Sequence, residues 1–531
     1  MKKRLGSISF LWQVFLLALV LRLIPLFLFR NLGIGLDDMF QYDMLARSLA
    51  TGNGYRWYAQ EDLSLIQPLL NIDISTGDYD ARGVLTSFRP PLYPAFLALI
   101  YLVVGIGAQR FFAARLVQVF LGAALAPLTY ALARRLMAIP NPAVSPSLLG
   151  KEGGGEESEK APRLAAWVVA CYPMLLLYPL SLATENLFFL LALASTLALL
   201  KASETLNANS ANGRMARIGE TKEHSRNSLF RVIRVELFRT RWFILSGLLL
   251  GLLALTRSTA LLFCGLAVLW VWFALHERKM AVVVFLGVVT VTLPWIVRNS
   301  LLHHRLTGIE TTLGYNLYVG YHPEGDGSFH YPQSLDLLTI LDDSVRDQAG
   351  IQKAGEFIRA DPGRVPLLLL QRLGYFFGLE RRALTYFYSN NFFGYIPLAL
   401  LLTIAAVFLL PFMIVSTSSA IGMALTRWRS VTVLAVLFLI GQLIPHVLIL
   451  SEDRFHLVCV AFLAIFAAQF WIGGWAAMKS RWGTRAGKIV FILACVAVTL
   501  LILNWGLELW RDAEKLAQLL GPSGNTTYFP Y

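Results

Sequence analysis

Long apolar segments separated by polar loops dominate the pattern of residues along this chain. A helix needs about 20 mostly apolar residues to cross the hydrocarbon core of a membrane. Within lipid, a helix satisfies its own backbone hydrogen bonds, so repeated segments of this length predict an all-α polytopic membrane protein. The eleven predicted crossings are 8–29, 111–136, 164–182, 186–203, 241–256, 258–275, 280–297, 393–415, 431–450, 456–477 and 488–508.

Two shorter apolar segments, 91–106 and 366–379, are ambiguous, and the charges of the loops arbitrate between the alternatives. Lys and Arg concentrate in cytoplasmic loops of membrane proteins. If neither segment crosses, the basic N-terminus and the basic loops of the chain all lie on the cytoplasmic side. We therefore predict eleven crossings plus two re-entrant or interfacial helices. Thirteen crossings are the alternative, in poorer agreement with the charges.

This topology divides the chain into four parts. The first is an N-terminal transmembrane module, residues 1–297, with an exterior loop at 30–110 and cytoplasmic inserts at 137–163 and 204–240. An exterior loop region (298–392), C-terminal transmembrane helices (393–508) and an exterior tail (509–531) follow. The inserts are polar and rich in Gly and Ser, which predicts flexible linkers. The first apolar run is too long for a cleaved signal peptide, so we predict a retained anchor in the inner or plasma membrane with a cytoplasmic N-terminus.

Composition narrows the functional class. The chain is 56% hydrophobic and 15% charged, with a net charge of +13, whereas soluble domains carry about 25% charged residues. Cytoplasmic loops account for the positive charge, so no nucleic-acid partner is expected. The four cysteines lie in apolar segments without CxxC spacing. His303, His304 and His322 fit no standard zinc spacing. No cofactor or metal site is predicted, and the sequence leaves a divalent ion open.

The polar loop after the first crossing begins with two adjacent carboxylates, Asp37 and Asp38. Apolar residues then recur at helical spacing until Gly52, which predicts a short amphipathic helix on the membrane surface. Asp38 lies where a helix N-cap is expected, and capping is the structural alternative. A carboxylate at the lipid–water boundary can also accept a proton as a general base. We therefore predict Asp38 as a catalytic residue, with Asp37 as the second choice.

Further polar residues lie at the same predicted boundary, in loops far apart along the chain. They are Arg89, Glu185, Arg257, Arg298, Asn299 and Arg454. Interfacial anchoring and helix capping are the structural alternatives for several of them. A lone exterior arginine such as Arg257, however, opposes the usual distribution of charge and indicates an anionic partner. Carboxylates that activate a hydroxyl and guanidinium groups that stabilise a phosphate leaving group suit one reaction type.

Short motifs containing these residues occur in a characteristic order. They are Asp38-x-x-x-Tyr42-x-x-x-Ala46 with Gly52-Asn53-Gly54-Tyr55, Arg89-Pro90-Pro91-Leu92-Tyr93-Pro94, Glu185, Leu255-Thr256-Arg257, Pro294-Trp295-x-x-Arg298-Asn299 with Gly314-x-Asn316-Leu317, and Asp453-Arg454-Phe455. The series resembles the GT-C superfamily of glycosyltransferases that use polyprenyl-phosphate sugars. Within it, the chain is most similar to bacterial relatives of the protein O-mannosyltransferases and to the lipid A aminoarabinose transferase.

The resemblance implies a GT-C core and inverting transfer of a monosaccharide on the outer face, from a polyprenyl-phosphate donor to a hydroxyl of a lipid, glycan or protein. It implies catalytic roles for Asp38 and Glu185, and donor-phosphate binding by Arg257, Arg298 and Arg454. Implied substrate-binding residues are Tyr42, Arg89, Tyr93, Asn299 and Asn316. Relatives often have Asp-Glu where this chain has Asp38 and Met39, so no metal ligand is carried over from that motif.

Two other functions stay open on the sequence. A lipid-linked glycan ligase or polymerase would share the donor type and the side of the membrane. A transporter or flippase would place charged residues along a path at mid-membrane depth. Arg22 is the main charge within an apolar run, and a long side chain there can snorkel to the interface. Because most other charges lie at one boundary, the pattern favours an enzyme.

Overall fold

The computed structural model describes residues 9–70, 79–137, 154–216, 225–426 and 428–527. This part of the chain forms twenty α-helices and one antiparallel ribbon of strands β1 (Arg56–Trp57) and β2 (Val84–Leu85). The helices are α1 (Phe10–Leu28), α2 (Asp38–Ala50), α3 (Gln60–Leu70), α4 (Leu92–Val104), α5 (Gln109–Met137), α6 (Gly154–Cys171), α7 (Pro173–Leu177), α8 (Glu185–Ala216), α9 (Ser225–Thr256), α10 (Leu261–Leu269), α11 (Arg278–Leu302), α12 (Leu313–Tyr321), α13 (Asp343–Ala360), α14 (Arg364–Phe376), α15 (Arg382–Ser389), α16 (Leu398–Leu425), α17 (Ser430–Leu448), α18 (Val460–Trp482), α19 (Arg485–Arg511) and α20 (Ala513–Leu519). The predicted all-α polytopic class is confirmed.

Eight of the described helices are long and apolar enough to cross a membrane. Their apolar spans lie in α1, α5, α8, α11, α16, α17, α18 and α19. The pair α6 and α7 is bent by 54° and counts as a ninth span if it crosses as one unit. Two shorter apolar helices, Thr240–Thr256 and Ser258–Ala274, would bring the number to eleven. The total number of crossings stays a prediction.

Helices α4 and α14 coincide closely with the two ambiguous apolar segments. Each has 13 residues, or about 20 Å at 1.5 Å per residue, whereas the hydrocarbon core is about 30 Å thick. Helix α14 also buries an arginine, Arg372, together with Leu368 and Phe376. Their length therefore agrees with re-entrant or interfacial helices.

Small residues allow the long helices to approach closely. A Cβ on Gly422 of α16 would lie 2.0 Å from the carbonyl oxygen of Phe466 in α18. A Cβ on Gly287 of α11 would lie 2.9 Å from the Cα of Gly247 in α9. Because lipid tails are as apolar as leucine, close van der Waals contact rather than hydrophobic burial holds membrane helices together. These glycines therefore fix the distances between helices in the bundle.

Arg22 of α1 is fully buried instead of snorkelling. Its guanidinium donates hydrogen bonds to the carbonyl oxygens of Ala170 (3.1 Å) and Val169 (3.3 Å). These carbonyls belong to the last turn of α6, where the bend before Pro173 leaves them without intrahelical partners. Arg22 thus stabilises a broken helix, and the snorkelling interpretation is wrong for this residue.

The predicted inserts at 137–163 and 204–240 are only partly described. Residues 138–153 and 217–224 lie outside the described ranges. Elsewhere in the inserts, α8 continues as far as Ala216, α9 begins at Ser225 and α6 begins at Gly154. These described parts of the inserts are helical, and the flexibility of the inserts stays a prediction. Propagation of an existing helix costs far less than nucleation, so a helix can continue beyond its apolar segment.

A second, smaller core lies over the ends of the bundle helices and consists of α2, α3, the β1–β2 ribbon, α12 and α13. Trp57, Phe88 and Tyr315 pack through their rings, with centroids 4.9 Å and 5.5 Å apart. The ribbon requires Gly83, which has φ +92 and whose Cβ would meet the carbonyl oxygen of Trp57 at 2.2 Å. We refer to this second core and its elements as the loop layer. The loop layer holds the segment that carries Arg89 against the start of α2.

Candidate functional site

Arginines and carboxylates from six segments of the chain meet where the loop layer joins the bundle. We refer to them as the ion-pair cluster. Its members are Asp38, Arg89, Glu185, Arg257, Arg382, Glu452 and Arg454. Asp38 begins α2, Glu185 begins α8 and Arg382 begins α15, whereas the others lie in short connections. The structure therefore brings together five of the residues that the sequence singles out.

Asp38 is the carboxylate of the cluster that stays most accessible, with its side chain 34% exposed. It accepts a hydrogen bond from Arg89 and pairs with Nη2 of Arg454 at 3.3 Å. Burial by itself raises the pKa of Asp38, but the charges of Arg89, Arg454 and Arg257 outweigh burial and lower the pKa to about 2. Asp38 is therefore ionised at neutral pH.

Asp37, rather than Asp38, is the N-cap of α2. Its carboxylate accepts a hydrogen bond from the backbone N–H of Met39 at 2.9 Å. Burial, followed by the neighbouring charge of Asp38, raises the pKa of Asp37. The placement of Asp38 at the cap position is therefore wrong by one residue. The two acids have separate surroundings, since one satisfies the helix backbone and the other faces the arginines.

Glu185 and Arg257 form a close pair, with Oε1 and Nη1 2.5 Å apart. The Glu185 side chain is 6% exposed, whereas the Arg257 side chain is 20% exposed. Thr184 also donates a hydrogen bond to Glu185, at 3.1 Å. The resemblance implies a catalytic role for Glu185, but its carboxylate is buried behind the guanidinium. Glu185 therefore anchors Arg257 from the protein interior.

Arg257 and Arg454 both flank the ring of Phe455. Their guanidinium carbons lie 5.1 Å and 5.4 Å from the ring centroid. His446 stacks on the same ring, with centroids 4.2 Å apart. A cation near the face of an aromatic ring is attracted by the ring quadrupole. Phe455 thus places two cations from distant parts of the chain beside each other.

Glu452 and Arg382 also belong to the cluster, although the sequence predicts no role for either of them. Glu452 Oε2 lies 2.7 Å from Arg454 Nε and 3.2 Å from Arg382 Nη1. The Glu452 side chain is 5% exposed, so its carboxylate supports the two arginines from behind. Glu452 could have been identified from the sequence, because it lies two residues before Arg454 in the same short turn. Nothing comparable marks Arg382 within the sequence.

Three predicted substrate-binding residues lie at or near the cluster. Arg89 contacts Asp38 directly and donates a hydrogen bond to Gln41 at 2.8 Å. Its guanidinium also lies 5.4 Å from the centroid of the Tyr42 ring. Tyr93 is fully buried and donates a hydrogen bond to Gln118 at 2.6 Å. Tyr42 borders the cluster, whereas Tyr93 supports Tyr42 from below through an edge-on ring contact at 5.2 Å.

Three further predicted residues lie outside the cluster. Arg298 donates hydrogen bonds to the carbonyl oxygen of Thr86 (2.5 Å) and to Asn299 (3.0 Å). Asn299 is fully buried and donates to the carbonyl oxygens of Gly308 and Ile309. The half-buried side chain of Asn316 has no hydrogen-bond partner among the described residues. Asn299 thus holds the turn after α11 in place, and Arg298 joins α11 to the segment after β2.

The described residues contain no group of three or more His, Cys, Asp and Glu side chains suited to hold a metal ion. Of the histidines noted in the sequence, His303 has its Nε2 2.6 Å from the hydroxyl of Ser87. The acids of the ion-pair cluster each face an arginine. At these positions the acids are suited to orient the guanidinium groups of the arginines.

The cluster arranges its charges in two layers. The carboxylates of Glu185 and Glu452 lie inside, and the more exposed edges of Arg257, Arg454 and Asp38 lie outside. Guanidinium groups have five N–H donors and bind phosphate oxygens well. A base at this position can deprotonate a hydroxyl. The two supported guanidinium groups beside it can stabilise a phosphate at the same place.

No family model and no curated protein matches the chain. Among solved structures, the chain is similar to the apo form of the Archaeoglobus fulgidus oligosaccharyltransferase, at 14% identity and a TM-score of 0.46, covering 99% of this chain and 61% of that one. It is similar to AglB of the same organism in complex with an inhibitory peptide and a dolichol-phosphate, at 15% identity and a TM-score of 0.45, covering 98% and 60%. It is also similar to ArnT from Cupriavidus metallidurans bound to undecaprenyl phosphate, at 12% identity and a TM-score of 0.35, covering 87% and 78%.

The chain spans about 61% of the length of the apo oligosaccharyltransferase. At these identities and TM-scores, the likeness assigns no substrate and no residue role to this chain.

Proposed function

We propose that this chain is a membrane glycosyltransferase that transfers a monosaccharide from a polyprenyl-phosphate donor to an acceptor hydroxyl. The acceptor is a lipid, a glycan or a protein, and the site faces the exterior of the inner or plasma membrane. The observation that carries the proposal is the contact between Asp38 and Arg454, 3.3 Å apart. Arg454 in turn shares the Phe455 ring with Arg257, so a base lies beside a pair of phosphate-binding cations.

In this reaction the acceptor oxygen attacks the anomeric carbon of the donor sugar. The hydroxyl proton passes to the carboxylate of Asp38, and the bond between the anomeric carbon and the phosphate oxygen breaks. The electron pair of that bond stays on the lipid phosphate, where Arg257 and Arg454 stabilise the charge. A single displacement from the opposite face of the sugar inverts the anomeric configuration.

The low pKa of Asp38 makes it a weak base when only the arginines surround it. A donor phosphate that contacts Arg454 and Arg257 would add negative charge close to Asp38. Negative charge favours the protonated form of a neighbouring carboxyl and raises its pKa. Donor binding would thus strengthen the base only when the sugar is present.

Two other functions share part of this geometry. A ligase or polymerase of lipid-linked glycans would use the same donor class and transfer more than one sugar. For a transporter or flippase, charges would have to line a path through the bilayer. The charges of the cluster instead lie at helix ends and in connections beside the loop layer, which favours the enzyme.

The proposal is tested by mass spectrometry of envelope glycans, glycoproteins and lipids from cells that lack this chain. We expect one species to lack a single monosaccharide, and the wild-type chain to restore it. Asp38→Asn should fail to restore it, because loss of a general base slows transfer by about 10²- to 10⁴-fold. Asp361→Asn, an exposed aspartate at the end of α13, is the matched control and should restore it.

The possible outcomes separate the alternatives. Normal transfer by a folded Asp38→Asn variant would refute the role of Asp38. Loss of an entire oligosaccharide would indicate the ligase. An unchanged set of glycans with altered uptake of small molecules would favour a transporter.

A further inference from the structure

A buried polar cluster lies behind the ion-pair cluster and takes no part in the proposed reaction. We refer to its residues, Tyr172, Glu380 and His456, as the Glu380 brace. Oε1 of Glu380 lies 2.7 Å from the Tyr172 hydroxyl and 2.9 Å from Nε2 of His456. All three side chains are at most 2% exposed. Buried polar groups of this kind need a compensating set of hydrogen bonds.

The hydrogen bonds define where the protons lie. Nδ1 of His456 is 2.8 Å from the carbonyl oxygen of Phe376, and a carbonyl only accepts, so Nδ1 carries a proton. The Tyr172 hydroxyl donates to Oε1 of Glu380. Two arrangements then remain for the bond to His456: a protonated Glu380 donating to neutral histidine, or an ionised Glu380 accepting from a charged histidine.

The second oxygen of Glu380 distinguishes between these arrangements. Oε2 is buried and has no hydrogen-bond partner among the described residues. A carboxylate oxygen carries part of a negative charge, and leaving it unpaired in the interior is costly. The carbonyl oxygen of a protonated acid costs much less in the same place. Burial and the nearby charge of Asp453 both raise the pKa of Glu380, although His456 and Tyr172 oppose them.

Among the described residues, no further counter-charge acts on Glu380. The Phe412 ring of α16 stacks on His456, with centroids 3.8 Å apart. Arg381, the next residue, pairs with Glu508 and Asp512 at 2.7 Å and 2.6 Å. Arg382 pairs with Glu452 and lies 3.8 Å from Asp453. Both adjacent arginines are thus committed to carboxylates on other elements.

The brace connects the segment that carries Arg382 with the segment that carries Arg454. Glu380 is two residues before Arg382, and His456 is two residues after Arg454. Arg382 and Arg454 share the carboxylate of Glu452 on the other side. Two parallel links, one through Glu452 and one through the brace, therefore join these segments.

We infer that Glu380 is a positioning residue, which as a neutral carboxylic acid holds the segment of His456 and thereby fixes Arg454 for the lipid phosphate. The inference rests on the proposed function of Arg454. It predicts that the hydrogen bond from Glu380, rather than a charge, is what the site requires.

The experiment compares Glu380→Gln and Glu380→Leu in the purified full-length chain, with undecaprenyl phosphate as the probe of binding. Gln keeps a neutral donor for His456, so its affinity should stay within about threefold of wild type. Leu removes the hydrogen bonds, which are worth about 1 kcal/mol each, so affinity should fall by about tenfold or more. If Gln weakens binding as much as Leu does, Glu380 acts as a charge and the inference is overturned.

Two further measurements test the protonation of Glu380, and the first of them does not depend on the ligand. Infrared spectra at neutral pH should contain a carboxylic-acid C=O band that Glu380→Gln removes, and the absence of that band overturns the inference. Because the pKa of Glu380 is raised, the stability from the neutral brace is present at low pH and lost as pH rises through the folded-state value. Wild type should therefore lose probe affinity toward alkaline pH, whereas Glu380→Gln should not. A parallel loss in both overturns the inference.

Failure of the brace and failure of the proposed function are distinguishable. If wild type does not bind undecaprenyl phosphate but shows the infrared band, the proposed donor class is wrong and the protonation of Glu380 stands. If wild type binds the probe and the band is absent, only the brace is wrong.

Discussion

At the scale of single residues, acids that look alike in the sequence have different roles in the ion-pair cluster. Glu185 and Glu452 are almost fully buried and each supports an arginine, whereas Asp38 keeps a third of its side chain accessible. Removal of one partner from a buried pair leaves an uncompensated charge, which is why such residues are sensitive to substitution. Sensitivity alone therefore does not identify the base.

The arginines make a prediction that separates the cluster from its neighbours. Arg257→Gln should weaken binding of undecaprenyl phosphate by about 10- to 100-fold, since hydrogen bonds to charged groups are worth about 1.5–3 kcal/mol. Arg298→Gln is the matched comparison and should change affinity by less than about threefold, because Arg298 bonds to Thr86 and Asn299 outside the cluster. Equilibrium binding to purified protein measures both. A larger effect at Arg298 would move the phosphate site toward the end of α11.

At the scale of elements, most residues of the ion-pair cluster lie where a helix begins or ends. Helices α2, α8 and α15 begin at or beside Asp38, Glu185 and Arg382, and α9 ends immediately before Arg257. Helix starts expose backbone N–H groups and have a partial positive charge. An acid placed there is stabilised while its side chain stays available to a neighbour. The breaks are therefore part of the site rather than gaps between spans.

The cap of α2 gives a prediction of its own. Asp37→Ala removes the acceptor for Met39 N–H and should destabilise α2 by about 1 kcal/mol. Asp37→Asn keeps a good cap and should be close to wild type in thermal unfolding followed by circular dichroism. The corresponding change at Asp38 should abolish transfer instead. If Asp37→Asn abolishes transfer in a folded protein, Asp37 belongs to the reaction and not to the cap.

Helix packing gives a matched pair of glycine substitutions. Gly422→Ala would bring a Cβ to 2.0 Å from the backbone oxygen of Phe466, so α16 and α18 must separate. Overpacking of this kind costs about 1–3 kcal/mol, and the unfolding temperature in detergent should fall. Gly506→Ala in α19 meets nothing within 4 Å and should leave the unfolding temperature unchanged or slightly higher. Equal effects would contradict the close contact.

At the scale of the whole molecule, a membrane-length bundle supports a loop layer, and the site lies between them. The bundle supplies Glu185, Arg257 and Arg454, and the layer supplies Asp38 and Arg89. The layer is fixed to the bundle by Asp43, which pairs with Arg110 of α5 at 2.7 Å. The candidate site therefore has one wall from the bundle and one wall from the loop layer.

Topology is tested at this scale by reporter fusions. A reporter at residue 150 should be cytoplasmic if α4 does not cross, and exterior if it does. The side of a reporter after residue 427 depends on α4 and α14 together: it is exterior if only one of them crosses and cytoplasmic if both or neither cross. Eleven crossings predict cytoplasmic positions for both, with the tail after residue 509 outside. An exterior signal at residue 150 together with a cytoplasmic signal after residue 427 would instead support thirteen crossings.

The sequence alone determined the class of the protein and which segments meet the boundary. Apolar runs fix the membrane-spanning helices because lipid leaves the backbone few alternatives. Charged residues such as Asp38, Arg257 and Arg454 were identifiable because they lie beside those runs. Short helices were also predictable from length and periodicity.

Only the tertiary structure decided which residues share a site. Glu452 and Arg382 are 70 positions apart, and no local pattern predicts that they meet. The cap at Asp37 depends on where α2 begins, which periodicity leaves uncertain by a residue or two. Arg298 and Asn299 lie near the boundary, yet the turn after α11 directs their side chains to backbone carbonyls. Contacts of this kind depend on packing between distant segments, and a linear pattern does not encode them one residue at a time.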